Sequence, residues 1–371
     1  MVHTQDCGSR MLTRISFAPG EKRLLGRFWQ SASGYWRGPT AWVAWALVLG
    51  LIINVVLQLL TQYGLNFWNR DFFNAIGRKD QAELLLQAFR FLPLAAASIA
   101  LTVFSVWARM TLQRSWREWL SNRLYDDWLG GSRLARSGRL AGHHEAPEYR
   151  IADDARVATD LPIDLVTGLL QSLLTIGTFI GVLWSVGGDL QVHLDGLDFT
   201  LPGYLVLAVI AYSALLALGI WLTAGHLTRV IEENKRMEAE LRAIGTHVRE
   251  GVEGKVISED RPNGRHAVVS ALKAVIAIWR IYCWQLMRMT LVTYTSLLVT
   301  PVIGLLLCLP KYLADALTLG EVVQASAAFV VVQTAFNWFT DNYAKLAEWT
   351  ASANRVAELM LALDEWHATE S

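Results

Sequence analysis

Six stretches of this chain carry no charged side chain at all: Ala41 to Asn69, Phe91 to Ala108, Leu165 to Gly188, Phe199 to Gly225, Met289 to Pro310 and Val322 to Thr340. A helix rises about 1.5 Å per residue, so roughly 20 apolar residues cross a hydrocarbon core about 30 Å thick. Four of the runs meet that length clearly. The second and sixth are shorter, and a buried core helix would imitate them, but four spans already exclude a soluble protein. The composition agrees: 53% of residues are hydrophobic, above the roughly 45–50% usual for soluble domains, and the mean hydropathy is +0.30. The expected fold is an all-α membrane protein with six transmembrane helices.

The loops give an orientation. Arg10, Arg14, Lys22, Arg23, Arg27 and Arg37 precede the first span, nine Lys or Arg lie from Arg109 to Arg156, and eleven from Arg229 to Arg288. The alternate loops are poor in bases. The excess of Lys and Arg on one side predicts cytoplasmic termini and two long cytoplasmic loops, in an inner (plasma) membrane with lipid as the immediate partner. The first 40 residues contain no cleavable leader pattern, so the first span is expected to serve as the insertion signal. Cys7, Cys283 and Cys308 are too few and too scattered for a disulfide framework or a metal cage. Formal net charge is zero and acids interleave with the bases in both long loops, which argues against a nucleic-acid partner.

Three helices are expected to overshoot the membrane. The second span continues as "RMTLQRSWREWLSNRLYDDWL", Arg109 to Leu129, with no Gly or Pro to stop it. The fourth passes into "HLTRVIEENKRMEAELRAIGTHVREGVEG", where Glu232, Arg236 and Glu240 sit four apart. "RPNGRHAVVSALKAVIAIWR" then makes a turn and returns to the fifth span. After the sixth, Asp341, Lys345, Glu348, Ser352 and Arg355 mark a polar face, while Leu346, Ala353, Val356, Met360 and Leu363 mark an apolar one. The expected organisation is a cytoplasmic segment over 1–40, a six-span domain over 41–340 with helical loops at 109–161 and 226–288, and a linker helix over 341–371.

Four blocks then carry a resemblance: "LNFWNRDFFNAIGRKD" (Leu65 to Asp80), "RSWREWLSNRLYDDWL" (Arg114 to Leu129), "PEYRIADDAR" (Pro147 to Arg156) and "LTLGEVVQASAAFVVVQTAFNWFTDNYAKLAEWTASANRV" (Leu317 to Val356). Over roughly Ala41 to Trp366 the chain resembles the transmembrane domain of YddA-type and peroxisomal fatty-acyl ABC exporters, to which the SbmA/BacA peptide transporters are related. The motif residues are Asn69, Arg70 and Asp71, in a turn expected after the first span, and Glu348, Trp349 and Arg355. The resemblance implies a homodimer with swapped helices around a central cavity, whose loop tips dock on nucleotide-binding domains. Those tips match Tyr149, Arg150, Asp153 and Asp154 in one loop and Glu250 and Glu253 in the other. In the second, Gly251 and Gly254 replace the Asn and Ser of the family pattern.

A phosphate-binding loop, G-x-x-x-x-G-K-[ST], is missing from the sequence; in "EGKV", Glu253 to Val256, Val stands where the magnesium-binding hydroxyl belongs. No cofactor is therefore expected on this chain, and it is not expected to be an enzyme. ATP would sit on a separate ATP-binding subunit. The leading expectation is a subunit that moves peptides or amphipathic acyl compounds by alternating access. A stand-alone, proton-driven SbmA/BacA-like peptide transporter is the alternative, and a non-transporting truncated scaffold a third.

Ionisable groups in a span are costly and default to a functional reading. The spans hold none in their middles. At the rims, Asp164 and Glu321 are candidates either for proton coupling or for helix-start chemistry, and Arg70 with Asp71 for a local ion pair. Gln171, Ser172, Thr175, Thr178, Gln324, Ser326, Gln333 and Asn337 either line a cavity or bond between helices, with Gln324 and Gln333 expected to face inward. The "HHE" at His143 to Glu145 lacks a second ligand pair for a metal.

Overall fold

The computed structural model describes residues 26, 28–29, 32–38, 41–129, 147–194, 197–224, 227–253 and 261–370; of these, the side chains of 147, 191–199, 224, 228, 232, 250–253, 261–263 and 364–370 are not described. Helix α1 is Ala41–Arg78 and α2 is Gln81–Leu129. Helix α3, Ala155–Gly187, is entered through a helical turn at Pro147–Tyr149 and a π-helical turn at Arg150–Asp154. A hairpin of β1 (Asp189–Leu194) and β2 (Leu197–Pro202) follows. Then come α4 (Tyr204–Ala224), α5 (Leu227–Glu253), α6 (Arg261–Leu313) and α7 (Leu319–Glu370). Six of these helices are long and apolar enough to span a membrane: α1, α2, α3, α4, α6 and α7.

Two boundaries differ from the sequence reading. The "NRDFFNA" block is helix, not turn: α1 keeps going to Arg78, and the chain reverses at Lys79, which takes a positive φ of 56°, and at Asp80. The Asp80 carboxylate accepts from the backbone N–H of Ala82 and Glu83 at 3.0 and 3.2 Å, capping α2. The fourth apolar run does not begin as helix either. Its residues to Pro202 form β2, paired antiparallel with β1 from Asp189 opposite Pro202 to Leu194 opposite Leu197. Pro202 lacks the N–H a ladder needs, and Gly203 then takes a φ of +59° that an L side chain resists. Its N–H donates to the Gly188 carbonyl at 3.1 Å, closing the hairpin base before α4 starts.

The chain divides into two compact units, Met1–Thr178 with Asp341–Ser371, and Phe179–Thr340. In the first, α1 and α2 pack along each other. Near their shared turn the Trp68 indole donates to the Gln87 carbonyl at 2.8 Å. The core of this unit gathers Leu112, Trp116, Leu120 and Leu124 of α2, Ile151, Ala155 and Ala158 at the entry to α3, and Ala353, Val356, Ala357, Met360 and Leu363 of α7. Phe28, Ala32 and Tyr35, from the segment ahead of α1, are buried in the same core. Burial pushes the Tyr35 phenol above its ordinary pKa against the opposing pull of a hydrogen bond with Ser115. Leu346, assigned by periodicity to the apolar face of α7, is instead exposed.

In the second unit α6 packs against both α4 and α5. The hydroxyls of Tyr212 and Thr300 lie 3.1 Å apart, and the Gln285 amide donates to the Thr223 carbonyl. Ser326 donates to the Pro301 carbonyl at 2.9 Å, where a Cβ on Gly304 would come within 3.0 Å of the Ser326 Cα. Small residues allow this close approach, as in other membrane helix pairs. Lys311 donates to the Gly187 carbonyl beneath the hairpin and lies 5.4 Å from the Tyr204 ring centroid.

Candidate functional site

Sequence places three polar residues of α2 four apart: Arg109, Gln113 and Arg117. Helical periodicity puts them in one row, and α3 meets that row with its own polar atoms. Arg109 pairs with Asp164 at 3.2 Å. Gln113 donates to the Asp164 carboxylate at 2.8 Å and to the Asp160 carbonyl at 2.9 Å, and Arg117 reaches the Ala152 carbonyl at 3.4 Å. Asp164 is therefore no first-turn carboxylate. It lies well inside α3, which starts at Ala155, and what it meets is a cation and an amide from the neighbouring helix.

At the end of this row the π-helical turn changes which side chains face inward. Single π turns occur mostly at functional positions, because the extra residue re-aims the side chains around it. Here Ile151 and Asp154 turn into the core, while Tyr149 stays exposed. The buried Asp154 carboxylate receives two bonds from Arg355 of α7, 2.8 Å from Nε and 2.5 Å from the terminal nitrogen. Arg355 also donates to Ser352 at 2.9 Å. On the same helix, nearly two turns before Arg355, the Trp349 indole donates to the Ala158 carbonyl at 3.3 Å, and one turn after it Glu358 approaches Arg150 at 3.8 Å. A planar guanidinium facing a carboxylate through two parallel bonds fixes orientation as well as distance.

The structure thus joins residues that the sequence reading put in separate roles. Asp154 and Arg150 were grouped as surface docking candidates, and Arg355 and Trp349 as motif residues. Asp154 is turned away from the surface, whereas Glu148, Tyr149 and Ala152 are exposed and the half-buried Asp153 pairs with Arg156 at 3.6 Å. Beside this tip lies a polar hollow of about 420 Å³ lined by Arg114, Arg117 and Glu118 among others. Glu250 and Glu253 fall near the end of α5, where the backbone is described but their side chains are not; 254–260 and His143 to Glu145 lie outside the described residues. Arg109 and Gln113 were missed, although their spacing with Arg117 along an uninterrupted helix was there to be read.

The remaining candidates separate. Glu321 forms a capping box: it accepts from the Thr318 N–H and hydroxyl at 2.8 and 2.9 Å, while its own N–H donates to the Thr318 hydroxyl at 3.3 Å. Arg70 and Asp71 form the expected local pair at 2.9 Å, with Arg70 also 4.8 Å from the Phe67 ring centroid. Asn69 sits beside them on α1, half-buried. Gln171 is half-buried on α3, and Gln324 and Gln333 are buried on α7. Among the described residues no group of three His, Cys, Asp or Glu is placed to hold a metal ion.

The family model described as ABC transporter transmembrane region 2 matches residues 38–255, more than half the chain. The chain belongs to that family. It is a multi-pass membrane protein and a component of an ABC-type membrane transporter. Among its relatives are the inner membrane ABC transporter ATP-binding protein YddA of Escherichia coli, 26% identical across 84% of this chain and 55% of that protein. The chloroplastic ABC transporter D family member 2 of Arabidopsis thaliana is 20% identical across 97% of this chain and 49% of its own length. The chain spans about half the length of the curated relatives it matches.

Proposed function

We propose that this chain forms the membrane pathway of an ABC exporter that works as a homodimer, moving peptides or amphipathic acyl compounds by alternating access in an inner membrane, with both termini cytoplasmic. A nucleotide-binding domain supplies ATP hydrolysis and docks on the tips at Glu148 to Asp154 and around Glu250 to Glu253. The observation that carries this reading is the Asp154–Arg355 pair. It ties the docking tip to α7, and α7 runs unbroken from Leu319 to Glu370, so a movement imposed at the tip reaches the sixth span.

The homodimer is supported by α6. Between Lys273, Arg280 and Arg288 this helix is too charged for the hydrocarbon core, yet Leu272, Ile276, Trp279, Trp284 and Met287 are exposed along it. An apolar stripe at helical spacing outside the membrane needs another protein surface, and a second copy supplies one in the swapped arrangement. The Asp164 carboxylate, bonded to Arg109 and Gln113, is the place where proton coupling would act instead.

Reconstitution in proteoliposomes separates the readings. Uptake of a fluorescent peptide or an acyl compound is measured with ATP and the nucleotide-binding domain, and separately with an imposed pH gradient alone. The exporter reading expects transport only with ATP, and Arg355→Ala to retain ATP hydrolysis while losing most transport. Transport driven by the gradient alone, abolished by Asp164→Asn, would replace it with a proton-driven carrier.

A further inference from the structure

The first unit contains an open cavity of about 520 Å³ that the transport reading does not use. It lies between the segment ahead of α1, α1 itself, the middle of α2 and the first turns of α3. Its volume falls in the range of roughly 300–1,000 Å³ common to small-molecule sites. Its walls are almost wholly apolar, and among the described residues its only charged lining residue is Arg37.

The shape has a direction. Trp36, Arg37 and Trp45 stand at the end where α1 begins, and Val55 lies at the other. From Trp45 to Val55 is ten residues, about 15 Å of helix, which is half of a hydrocarbon core of about 30 Å. Helix α3 agrees: Pro162 to Leu170 line the same cavity over a similar depth, also running inward from the end where that helix starts. The cavity is therefore about as deep as one leaflet.

The mouth has the chemistry of an anionic headgroup site. From the turn at Ser33–Trp36 through Val55 of α1 the sequence contains no acid, while Arg37 is basic. Arg37 is exposed and has no acidic partner among the described residues. Trp116 lines the cavity at 1% exposure, and its indole N–H has no acceptor among the described residues. Trp36 and Trp45 stand 5.5 Å apart at the mouth, ring to ring, at the depth where amphipathic aromatics settle in a bilayer. Val166, on the wall, is 65% exposed, so the site is open to the side rather than sealed.

We propose that this cavity is a lateral site for one acyl chain of an anionic phospholipid taken from the surrounding leaflet, with the phosphate held by Arg37. The site does not depend on the direction of transport or on ATP, so it stands apart from the exporter reading.

The test uses the full chain in lipid vesicles containing phosphatidylglycerol or phosphatidylcholine with a photoreactive diazirine midway along one chain. Irradiation and peptide mapping locate the adducts. The site predicts adducts within 45–55 and 162–170, about fivefold stronger for the anionic lipid, the factor one arginine near an anionic surface supplies. Arg37→Gln should erase that preference. Val166→Trp, and independently Ile52→Trp, should remove adducts at both segments while leaving those at the exposed Leu297 and Leu298 unchanged. Equal labelling by both lipids in the native chain, or labelling unmoved by either filling variant, would overturn the proposal. Arg37→Gln alters no packed side chain, so the charge preference remains readable even if a filling variant fails to fold.

Discussion

Helix α2 is one uninterrupted helix that lives in two environments. In its first half Ile99, Val103 and Trp107 are 66%, 63% and 57% exposed; in its second half Leu112, Trp116 and Leu120 are 1%, 1% and 0% exposed. Both halves are rich in large apolar side chains, so apolar content does not distinguish them. What differs is what surrounds them. The first half leaves its apolar groups outward because lipid is as apolar as they are, and nothing is gained by hiding them. The second half carries Arg114, Arg117 and Glu118 on its outer side and must bury the remainder against α3, α7 and the segment ahead of α1. Stability in the second half is thus a matter of packing, and in the first a matter of not placing charge in hydrocarbon.

The contrast can be broken by substitution. Leu120→Ala removes a fully buried side chain and should cost about 3–4 kcal/mol, as large-to-small changes in packed cores do, seen as a lower midpoint of thermal unfolding in detergent. The matched change Ile99→Ala should move that midpoint hardly at all; similar losses at both positions would mean that the two halves share one environment. Arg355→Ala should cost about 3 kcal/mol, because it strands the buried Asp154 carboxylate, and limited proteolysis should then cut within 341–371. Asp154→Asn in the same background should recover part of that loss, since the group left behind carries no charge. Val103→Arg should cost about 2.5–3 kcal/mol, read as reduced membrane insertion rather than as a shifted midpoint. The smallest effect belongs to Glu321→Ala, about 1 kcal/mol from the lost capping box, read as faster amide exchange in the first turn of α7.

How much of this was legible in the sequence follows from what a pattern encodes. Uncharged length gave the six spans, and the absence of Gly and Pro after Trp107 gave the overshoot of α2. Both are properties of a single segment. The hairpin was not legible, because "FTLP", Phe199 to Pro202, is uncharged and passes as the start of the fourth span, and only the Pro202–Gly203 break marks it. The inward turn of Asp154 was hidden as well. "PEYRIADDAR" was read as a docking tip, but which acid faces inward depends on a π turn and on an arginine about 200 residues away. Periodicity likewise put Ser352 and Arg355 on the polar face of the last helix without saying that this face meets Asp154. The burial of Phe28, Ala32 and Tyr35 was missed because a segment read as basic and cytoplasmic offers no periodic signal.

A nitroxide scan along α2 tests the two-environment account most directly. Single cysteines at Ile99, Val103, Trp107, Arg114, Arg117 and Glu118 are spin-labelled in the reconstituted protein, and accessibility to oxygen is compared with accessibility to a water-soluble nickel chelate. The account predicts oxygen-dominated collisions at the first three positions and chelate-dominated collisions at the last three, with the crossover between Trp107 and Arg114. Chelate access at Ile99 and Val103 equal to that at Arg117 would contradict it, because the apolar surface of the first half would then face water.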